Sequence, residues 1–168
     1  MIKDYYKLTD DNDNTLLFES RFESGNLNLA YKEDPNNYLL VLQNDTNTYG
    51  YSQWFYFRVT NTRKGNRVKF NIINMLKCRS LYNRGLKPLV YSQKMSEIEG
   101  IGWHRDCDNM SYYRNQLYKF SKDRRRNLYS FTFTYEFKYD NDTVFFAYNI
   151  PYTYSQLTHQ LNEIEKQD

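Results

Sequence analysis

Cysteine and long apolar runs are scarce in this sequence of 168 residues. Its two cysteines, Cys78 and Cys107, are too few for a four-cysteine zinc site. No apolar run approaches the roughly 20 residues that a membrane-spanning helix needs, and residues 1–14 lack the apolar core of a signal peptide. We therefore expect a cytoplasmic protein without membrane association, in which both cysteines are reduced thiols.

Alanine is equally scarce, since Ala30 and Ala147 are the only two. Aromatic residues make up 18% of the chain, with 18 tyrosines, 11 phenylalanines and two tryptophans. Because aromatic residues favour strands and alanine favours helices, this balance predicts a β-rich core. The length fits one ordinary domain, or one domain with a short appended element.

Acidic residues are absent from residues 46–96, although the net charge of the whole chain is only +3. Such a segregation of charge indicates either a patch that faces an acidic partner or cations on the solvated faces of separate strands. The sequence leaves both interpretations open. The segment contains ten cationic residues: Arg58, Arg63, Lys64, Arg67, Lys69, Lys77, Arg79, Arg84, Lys87 and Lys94.

Apolar residues alternate with polar ones along much of the chain, as they do in strands. The clearest run is 129–137, where aromatic residues alternate with Ser130, Thr132, Thr134 and Glu136, which predicts an antiparallel strand with one face in water. Turn residues separate these runs, so the pattern predicts an antiparallel β-sandwich or a barrel. Residues 74–128 are less regular, and we expect short strands and long loops there. The other predicted strands are 39–42, 53–60, 67–72 and 143–148.

The period changes near the C-terminus, where apolar residues fall at i, i+3, i+7 and i+10 from Tyr154 to Ile164. This spacing predicts an amphipathic helix, and Thr153 is a suitable cap for it. The sequence therefore divides into a flexible lead-in at 1–14, a β-sandwich domain at 15–150 and a helical segment at 151–168.

Motifs for catalysis are missing from the sequence. Neither His104 nor His159 begins a metal-binding motif, and we expect the first in a surface loop and the second on the solvated side of the helix. For Glu97 and Glu99, the sequence suggests no second carboxylate at catalytic distance. There is no phosphate-binding glycine loop and no nucleophile elbow. The sequence predicts no catalytic, cofactor-binding or metal-binding residue in this chain.

Basic residues interleaved with aromatic ones can bind single-stranded nucleic acid by stacking and phosphate contacts. Here the strict alternation assigns most aromatic residues to the core, and the three arginines at 124–126 fit a solvated hairpin turn. We therefore do not expect nucleic acid to be a partner.

Several strings stand in a fixed order along the chain: LLFESRFESGNL from residue 16, QWFYFRV from 53, FNIINMLKCRSLYNRGLKPLVYS from 70, Trp103, YYRN from 112, the strand at 129–137, and FAYNIPYTYSQL from 146. Together they resemble the N-terminal β-sandwich domain of the cytosolic carboxypeptidases, which are zinc carboxypeptidases of the M14 family. The resemblance extends over most of the chain.

This resemblance implies a noncatalytic N-terminal domain. The parent enzymes remove glutamates from tubulin tails and other proteins, and they hold zinc with a His-x-x-Glu pair and a distant histidine. Neither histidine here has a glutamate three residues later, so no catalytic residue carries over and zinc is expected only in the parent's catalytic domain. The segment 151–168 then resembles the first helix of that missing domain. Its apolar stripe would fold back onto the sandwich or dock on another chain.

The partners implied by the resemblance are the protein's own catalytic domain and acidic tails such as glutamylated tubulin. The resemblance also allows a cytoskeletal or ciliary location. The loops at 77–87 are expected to present positive charge to such tails, although the same residues can serve conformation alone. The alternative is a stand-alone interaction module of the same origin, at microtubules or in a cilium. The candidate contact residues are Trp54, Asn74, Lys77, Arg79, Tyr82, Asn83, Arg84, Lys87, Tyr113, Asn115, Tyr152 and Tyr154.

Overall fold

A computed structural model of the chain describes residues 8–10, 12–48, 51–116 and 127–166. Most of the expected lead-in, at 1–7 and 11, and the predicted turn at 124–126 lie outside these residues. The elements in chain order are β1 Leu17–Glu19, β2 Leu27–Asp34, β3 Asn37–Leu42, β4 Tyr56–Thr60, β5 Arg67–Met75, a 3₁₀ turn Leu81–Arg84, β6 Leu89–Ser92, α1 Gln93–Glu99, β7 His104–Arg105, β8 Asp108–Arg114, β9 Tyr129–Glu136, β10 Val144–Ala147 and α2 Tyr154–Glu165.

The strands form two five-stranded sheets packed face to face. Sheet A has the strand order β1-β4-β10-β6-β7, and sheet B has the order β2-β3-β5-β9-β8. This confirms the predicted β-sandwich with a C-terminal helix. Strands β3 and β5 pair in parallel, whereas the other recorded pairs are antiparallel. The parallel pair is possible because the chain crosses to sheet A, forms β4 and returns before β5 begins.

The core between the sheets is largely aromatic. In β4 and the residue before it, Phe55, Phe57 and Val59 are fully buried, as their alternation predicts. Rings from both sheets contact one another, and Phe70 of sheet B lies 5.1 Å from Phe146 of sheet A between ring centroids. Eleven of the 31 aromatic residues are buried among the described residues, so packing accounts for a large share of the unusual aromatic content. The largest fully buried side chains include Tyr38, Tyr82, Phe55, Phe57, Phe70, Phe131, Phe133, Phe137 and Phe146.

The expectation that the polar side of β9 lies in water is wrong for its first half. Ser130 and Thr132 are only 3% and 7% exposed. Thr132 donates a hydrogen bond to Asn71 Oδ1 at 3.0 Å, and Asn71 Nδ2 donates to Asn37 Oδ1 at 2.6 Å. A row of polar side chains across β9, β5 and β3 thus satisfies itself, so these residues can be buried without loss of hydrogen bonds.

The segment expected to hold only short strands and loops also contains α1. Its N-cap is Ser92, whose hydroxyl accepts a hydrogen bond from the Met95 amide at 3.0 Å. Gly100 ends the helix with φ +69°, a left-handed conformation that glycine adopts without strain. The predicted surface-loop position of His104 is also wrong, since this residue begins the short edge strand β7.

Candidate functional site

The outer face of sheet A carries a cluster of aromatic side chains. Strand alternation sends Phe55, Phe57 and Val59 into the core and leaves Tyr56 and Arg58 on the opposite side. An outer sandwich face is ordinarily polar, so a cluster of large rings here is unusual. We call this surface, with the arginine at its centre, the aromatic face, and it consists of Phe22, Trp54, Tyr56, Arg58, Tyr91, Trp103 and Phe145, each partly exposed.

The register of sheet A places the centre of this face in one row. Arg58 of β4 lies opposite Glu19 of β1 on one side and Phe145 of β10 on the other. Phe145 in turn lies opposite Tyr91 of β6. The Trp103 ring extends the row, because its centroid lies 5.5 Å from that of Tyr91. Arg58 therefore stands in a row with Glu19, Phe145 and Tyr91 that crosses four strands.

The rings of the aromatic face contact one another closely. Phe22 and Tyr56 lie 4.9 Å apart between centroids in a T-shaped arrangement, and Phe22 and Phe145 lie 5.8 Å apart in a similar one. Tyr56 also lies 6.0 Å from Trp103 and 6.3 Å from Trp54. Such distances and angles are those of favourable aromatic pairs. Burial among these rings raises the pKa of Tyr56.

Arg58 is the charged centre of the aromatic face. Its Cζ atom lies 6.0 Å from the centroid of the Phe22 ring, and its buried Nε has no hydrogen-bond partner among the described residues. The carboxylate opposite it, Glu19, instead accepts hydrogen bonds from Arg21 Nε at 2.8 and 3.0 Å. The Arg21 guanidinium lowers the pKa of Glu19 to about 2, so Glu19 is ionised and already paired.

A cleft opens beside the aromatic face, between β1 and β2. It has a volume of about 1320 Å³ and is lined by Glu19, Phe22 and Arg58, among others. Both strands are edge strands of their sheets. A polar group from outside the sandwich can therefore approach the Arg58 guanidinium through this cleft as well as over the aromatic face.

Helix α2 begins beside this surface and carries its apolar stripe in the open. Thr153 and Gln156 form a capping box, which explains why the helix starts at Tyr154. The Ser155 amide donates a hydrogen bond to Glu23 Oε1 at 2.9 Å, and Glu23 follows Phe22 of the aromatic face. The stripe residues are exposed by 38–72%: Tyr154, Leu157, Leu161 and Ile164.

The loop that joins the aromatic face to α2 depends on a glycine. A Cβ atom at Gly25 would lie 2.3 Å from the Ser20 carbonyl oxygen, so no other residue fits without a backbone shift. The Ser24 carbonyl accepts a hydrogen bond from Trp54 Nε1 at 2.8 Å. Residues 22–25 thus connect the aromatic face and the first turn of α2.

Glu23 is predicted to hold the first turn of α2 in a pH-dependent way. Hydrogen bonds from the Ser155 backbone amide and side chain lower its pKa below the usual 4.5. The ionised Glu23 side chain therefore stabilises the first turn of α2 at pH values above its usual pKa. This stabilisation is lost as the pH falls through the lowered pKa. We expect Glu23→Gln to lower the protection factor of the Ser155 amide against hydrogen exchange at neutral pH, and the wild-type protection factor to fall similarly in acid. Nuclear magnetic resonance measures both.

The control for this experiment is Glu136→Gln, which removes an exposed carboxylate at the end of β9. Exchange at Ser155 should not respond to it. Equal exchange in wild type and Glu23→Gln at neutral pH would show that the capping box alone holds the helix.

Four candidate residues bond within the sandwich. Asn74 bonds both polar backbone atoms of Leu42. Asn83 does the same to Tyr112, and Asn115 Nδ2 donates to the Ile73 carbonyl at 2.8 Å. Tyr82 stacks on Phe131 at 3.7 Å between centroids, and burial raises its pKa. These contacts stabilise the fold, and a role for the same residues in partner binding stays a prediction.

The basic segment does not converge on one surface. Lys77, Arg79 and Arg84 are exposed around the 3₁₀ turn. Lys94 Nζ instead donates to the Asp140 carbonyl at 2.8 Å, and Arg58 belongs to the aromatic face. The part at 77–87, which we call the basic turn, contains four cations, as many as residues 63–69. Its fourth member, Lys87, lies 3.6 Å from the Asp108 carboxylate between Nζ and Oδ1.

The remaining candidates are distributed over three surfaces. Trp54 belongs to the aromatic face. Tyr113 is 49% exposed on the outer side of sheet B, where its hydroxyl lies 3.4 Å from Thr132 Oγ1. Tyr152 and Tyr154 are exposed at the start of α2, and the Tyr152 hydroxyl donates to Gln160. Sequence reasoning missed most of the aromatic face, namely Phe22, Tyr56, Arg58, Tyr91, Trp103 and Phe145.

Neither a metal centre nor a membrane span is recorded in the part of the chain that the structure describes. That part contains no group of three or more His, Cys, Asp or Glu side chains that could hold a metal ion, so its residues do not fit a zinc site. Its helices are too short or too polar to cross a bilayer. Both thiols are free, with Cys78 exposed and Cys107 buried.

Comparison with known proteins gives consistent likenesses. A family model described as the cytosolic carboxypeptidase N-terminal domain matches residues 18–149. Cytosolic carboxypeptidase 2 of Homo sapiens is 50% identical over 145 residues, which are 86% of this chain and 16% of that protein. Cytosolic carboxypeptidase 3 of Mus musculus is 45% identical over 155 residues, which are 92% of this chain and 15% of that protein.

A solved structure shares the fold. A metallo-carboxypeptidase from Burkholderia cenocepacia superposes with a TM-score of 0.59 and 19% sequence identity, covering 90% of this chain and 33% of that one. The chain therefore spans about a sixth of the length of the curated relatives above, and a third of this structural neighbour.

Proposed function

This chain belongs to the family of cytosolic carboxypeptidase N-terminal domains, and from that premise we propose that it serves as the noncatalytic N-terminal domain of a larger cytosolic zinc carboxypeptidase. The family resemblance predicted from the sequence is confirmed. The observation that carries the proposal is the match to 16% of a relative's length, together with the lack of a metal-ligand group among the described residues. Zinc and the catalytic groups then belong to the remainder of the enzyme.

Within that enzyme, the domain packs beside the catalytic domain and guides acidic substrate tails toward it. Glutamylated tubulin is a substrate of this kind, and a tubulin substrate would place the enzyme at microtubules or in cilia. The exposed cations of the basic turn support tail binding, since clustered Lys and Arg side chains attract carboxylates.

Tail binding is predicted to depend on the basic turn. Reversing Arg79 and Arg84 to glutamate is expected to weaken the affinity for a polyglutamylated peptide by about tenfold, because each exposed charge pair contributes up to about 1 kcal/mol. Raising the ionic strength from about 0.01 M to about 0.15 M shortens the screening length from roughly 30 Å to roughly 8 Å and should weaken wild-type binding as well. Fluorescence anisotropy measures both effects.

The control variant is Lys138→Glu with Lys166→Glu, which makes the same change in net charge at exposed positions away from the basic turn. Similar losses in the two double variants would mean that net charge alone attracts the peptide. An unchanged affinity in the Arg79 and Arg84 double variant would contradict the tail-binding role.

A stand-alone interaction module is the second candidate, and the exposed apolar stripe of α2 is the observation that favours it. Reading the coding sequence past Asp168 separates the two. A downstream His-x-x-Glu identifies the domain of an enzyme, and a stop codon identifies a module.

A further inference from the structure

We propose that the aromatic face is the surface on which the carboxypeptidase catalytic domain docks, and that an acidic side chain of that domain pairs with Arg58. This inference rests on the proposed function, because it requires a catalytic domain in the same polypeptide. It adds which side of the sandwich meets that domain and what chemistry holds the two together.

The composition of the aromatic face is that of an interface centre. Tyrosine, tryptophan and arginine dominate the binding energy of protein interfaces, and they cluster at the middle of the buried patch. Here Tyr91 and Trp103 lie in the same row as Arg58, and Tyr56 lies beside Trp103. All of these side chains remain partly exposed in the present chain, so a partner can still bury them.

Arg58 specifies the charge of the partner. Arg58 is partly exposed, its buried Nε lacks a partner among the described residues, and Glu19, the carboxylate opposite it, is bonded to Arg21. A carboxylate from outside would neutralise this cation, in the bidentate geometry that arginine favours. The cleft between β1 and β2, which Arg58 also lines, leaves space for such a side chain to enter.

The position of α2 indicates which partner this is. Its first turn is bonded to Glu23, the neighbour of Phe22 at the edge of the aromatic face. Because α2 has 12 residues, it spans roughly 18 Å. A domain that continues from α2 therefore begins close to the aromatic face, and a tethered partner at this distance has a high effective concentration.

A second copy of this chain fits the surface less well. A symmetric dimer through the aromatic face would bring the region of Arg58 against the same region of the other copy. Two arginines near one another on a desolvated surface repel, so charge complementarity favours an acidic partner over a second copy.

Hydroxyl-radical footprinting of the full-length enzyme and of the present chain tests the proposal. Labelling of Tyr91 and Trp103 is expected to fall by about fivefold in the full-length enzyme, because a docked domain removes them from water. Tyr31 and Tyr113, which are exposed on sheet B, should label equally in both proteins. Unchanged labelling of Tyr91 and Trp103 together with protection of Tyr31 and Tyr113 would overturn this inference while leaving the proposed function intact.

Variants of Arg58 test the charge. In the full-length enzyme, Arg58→Glu is expected to restore labelling of Tyr91 and Trp103 to the level of the present chain, because it opposes an acidic partner. Arg58→Gln removes the cation without adding repulsion to Glu19 and should restore labelling in part. If both variants keep wild-type protection, no acidic side chain pairs with Arg58. If the full-length protein has no carboxypeptidase activity and no zinc, the proposed function itself fails.

Discussion

Replacing Phe70 with alanine is expected to lower the free energy of unfolding of this chain by about 3–5 kcal/mol, which is a large part of the stability of an ordinary domain. Phe70 is fully buried on β5, the middle strand of sheet B. Its loss would leave a cavity that side chains from both sheets line. The rings within 5.1–6.3 Å of its centroid are Phe18, Tyr38, Phe57, Phe133 and Phe146.

Urea unfolding followed by tryptophan fluorescence measures this effect. Phe70→Leu keeps much of the volume and should cost about 1–2 kcal/mol, so it remains measurable if the alanine variant does not fold. Tyr31→Ala is the matched control, because Tyr31 is 61% exposed on edge strand β2 and its loss should change stability by about 0.5 kcal/mol or less. Equal shifts for Phe70→Ala and Tyr31→Ala would contradict the core position of Phe70.

The inward faces of the strands were predictable because they depend on local alternation. A period of two separates Phe55, Phe57 and Val59 from Tyr56 and Arg58 whatever the partners of β4 are. The helix α2 was predictable for a similar reason, since both its stripe and its cap lie within one short segment. Helix α1 could have been found from Ser92 and Gly100, which flank it as caps.

Pairing between distant strands was not predictable from the same patterns. The burial of Thr132 depends on Asn71 and Asn37, which come from two other strands. The parallel pairing of β3 with β5 is equally invisible, because alternation is the same in parallel and antiparallel strands. Both features depend on the register between distant segments, and the pattern of a single sequence does not show that register.

Of the two candidate surfaces, the basic turn was predictable from the sequence and the aromatic face was not. The basic turn follows from counting charges along the chain, because its cations are neighbours in sequence. The aromatic face requires β4, β6 and β10 to be aligned, and each strand alone contributes only one or two outward side chains, such as Tyr91 or Phe145. Strand alternation therefore assigned most aromatic residues to the core and did not bring the outward-facing ones together on one surface.

The two surfaces can act together in one protein. The aromatic face lies on sheet A and joins α2 at residues 22–25, whereas the basic turn is bonded through Asn83 to Tyr112 of sheet B and remains exposed. A catalytic domain docked on the aromatic face would leave Lys77, Arg79 and Arg84 free to attract an acidic tail. Docking and tail binding are thus expected to respond to different substitutions.

Replacing Asn74 with alanine is expected to lower the free energy of unfolding by about 2–5 kcal/mol, because it leaves two buried backbone groups without partners. The Asn74 side chain accepts from the Leu42 amide at 2.8 Å and donates to the Leu42 carbonyl at 2.9 Å, and Leu42 is buried. These bonds extend the β3–β5 pairing past Leu40 and Ile72, where the recorded parallel register ends.

Urea unfolding of Asn74→Ala measures this loss, with Asn149→Ala as the control at an exposed position. The control should change stability by about 0.5 kcal/mol or less. Because Asn74 is also a candidate contact residue, the result separates two roles. A large loss of stability in the present chain means that Asn74 holds β3 to β5. Unchanged stability, together with lost protection of Tyr91 and Trp103 in the full-length enzyme, would instead make Asn74 a residue on which docking depends.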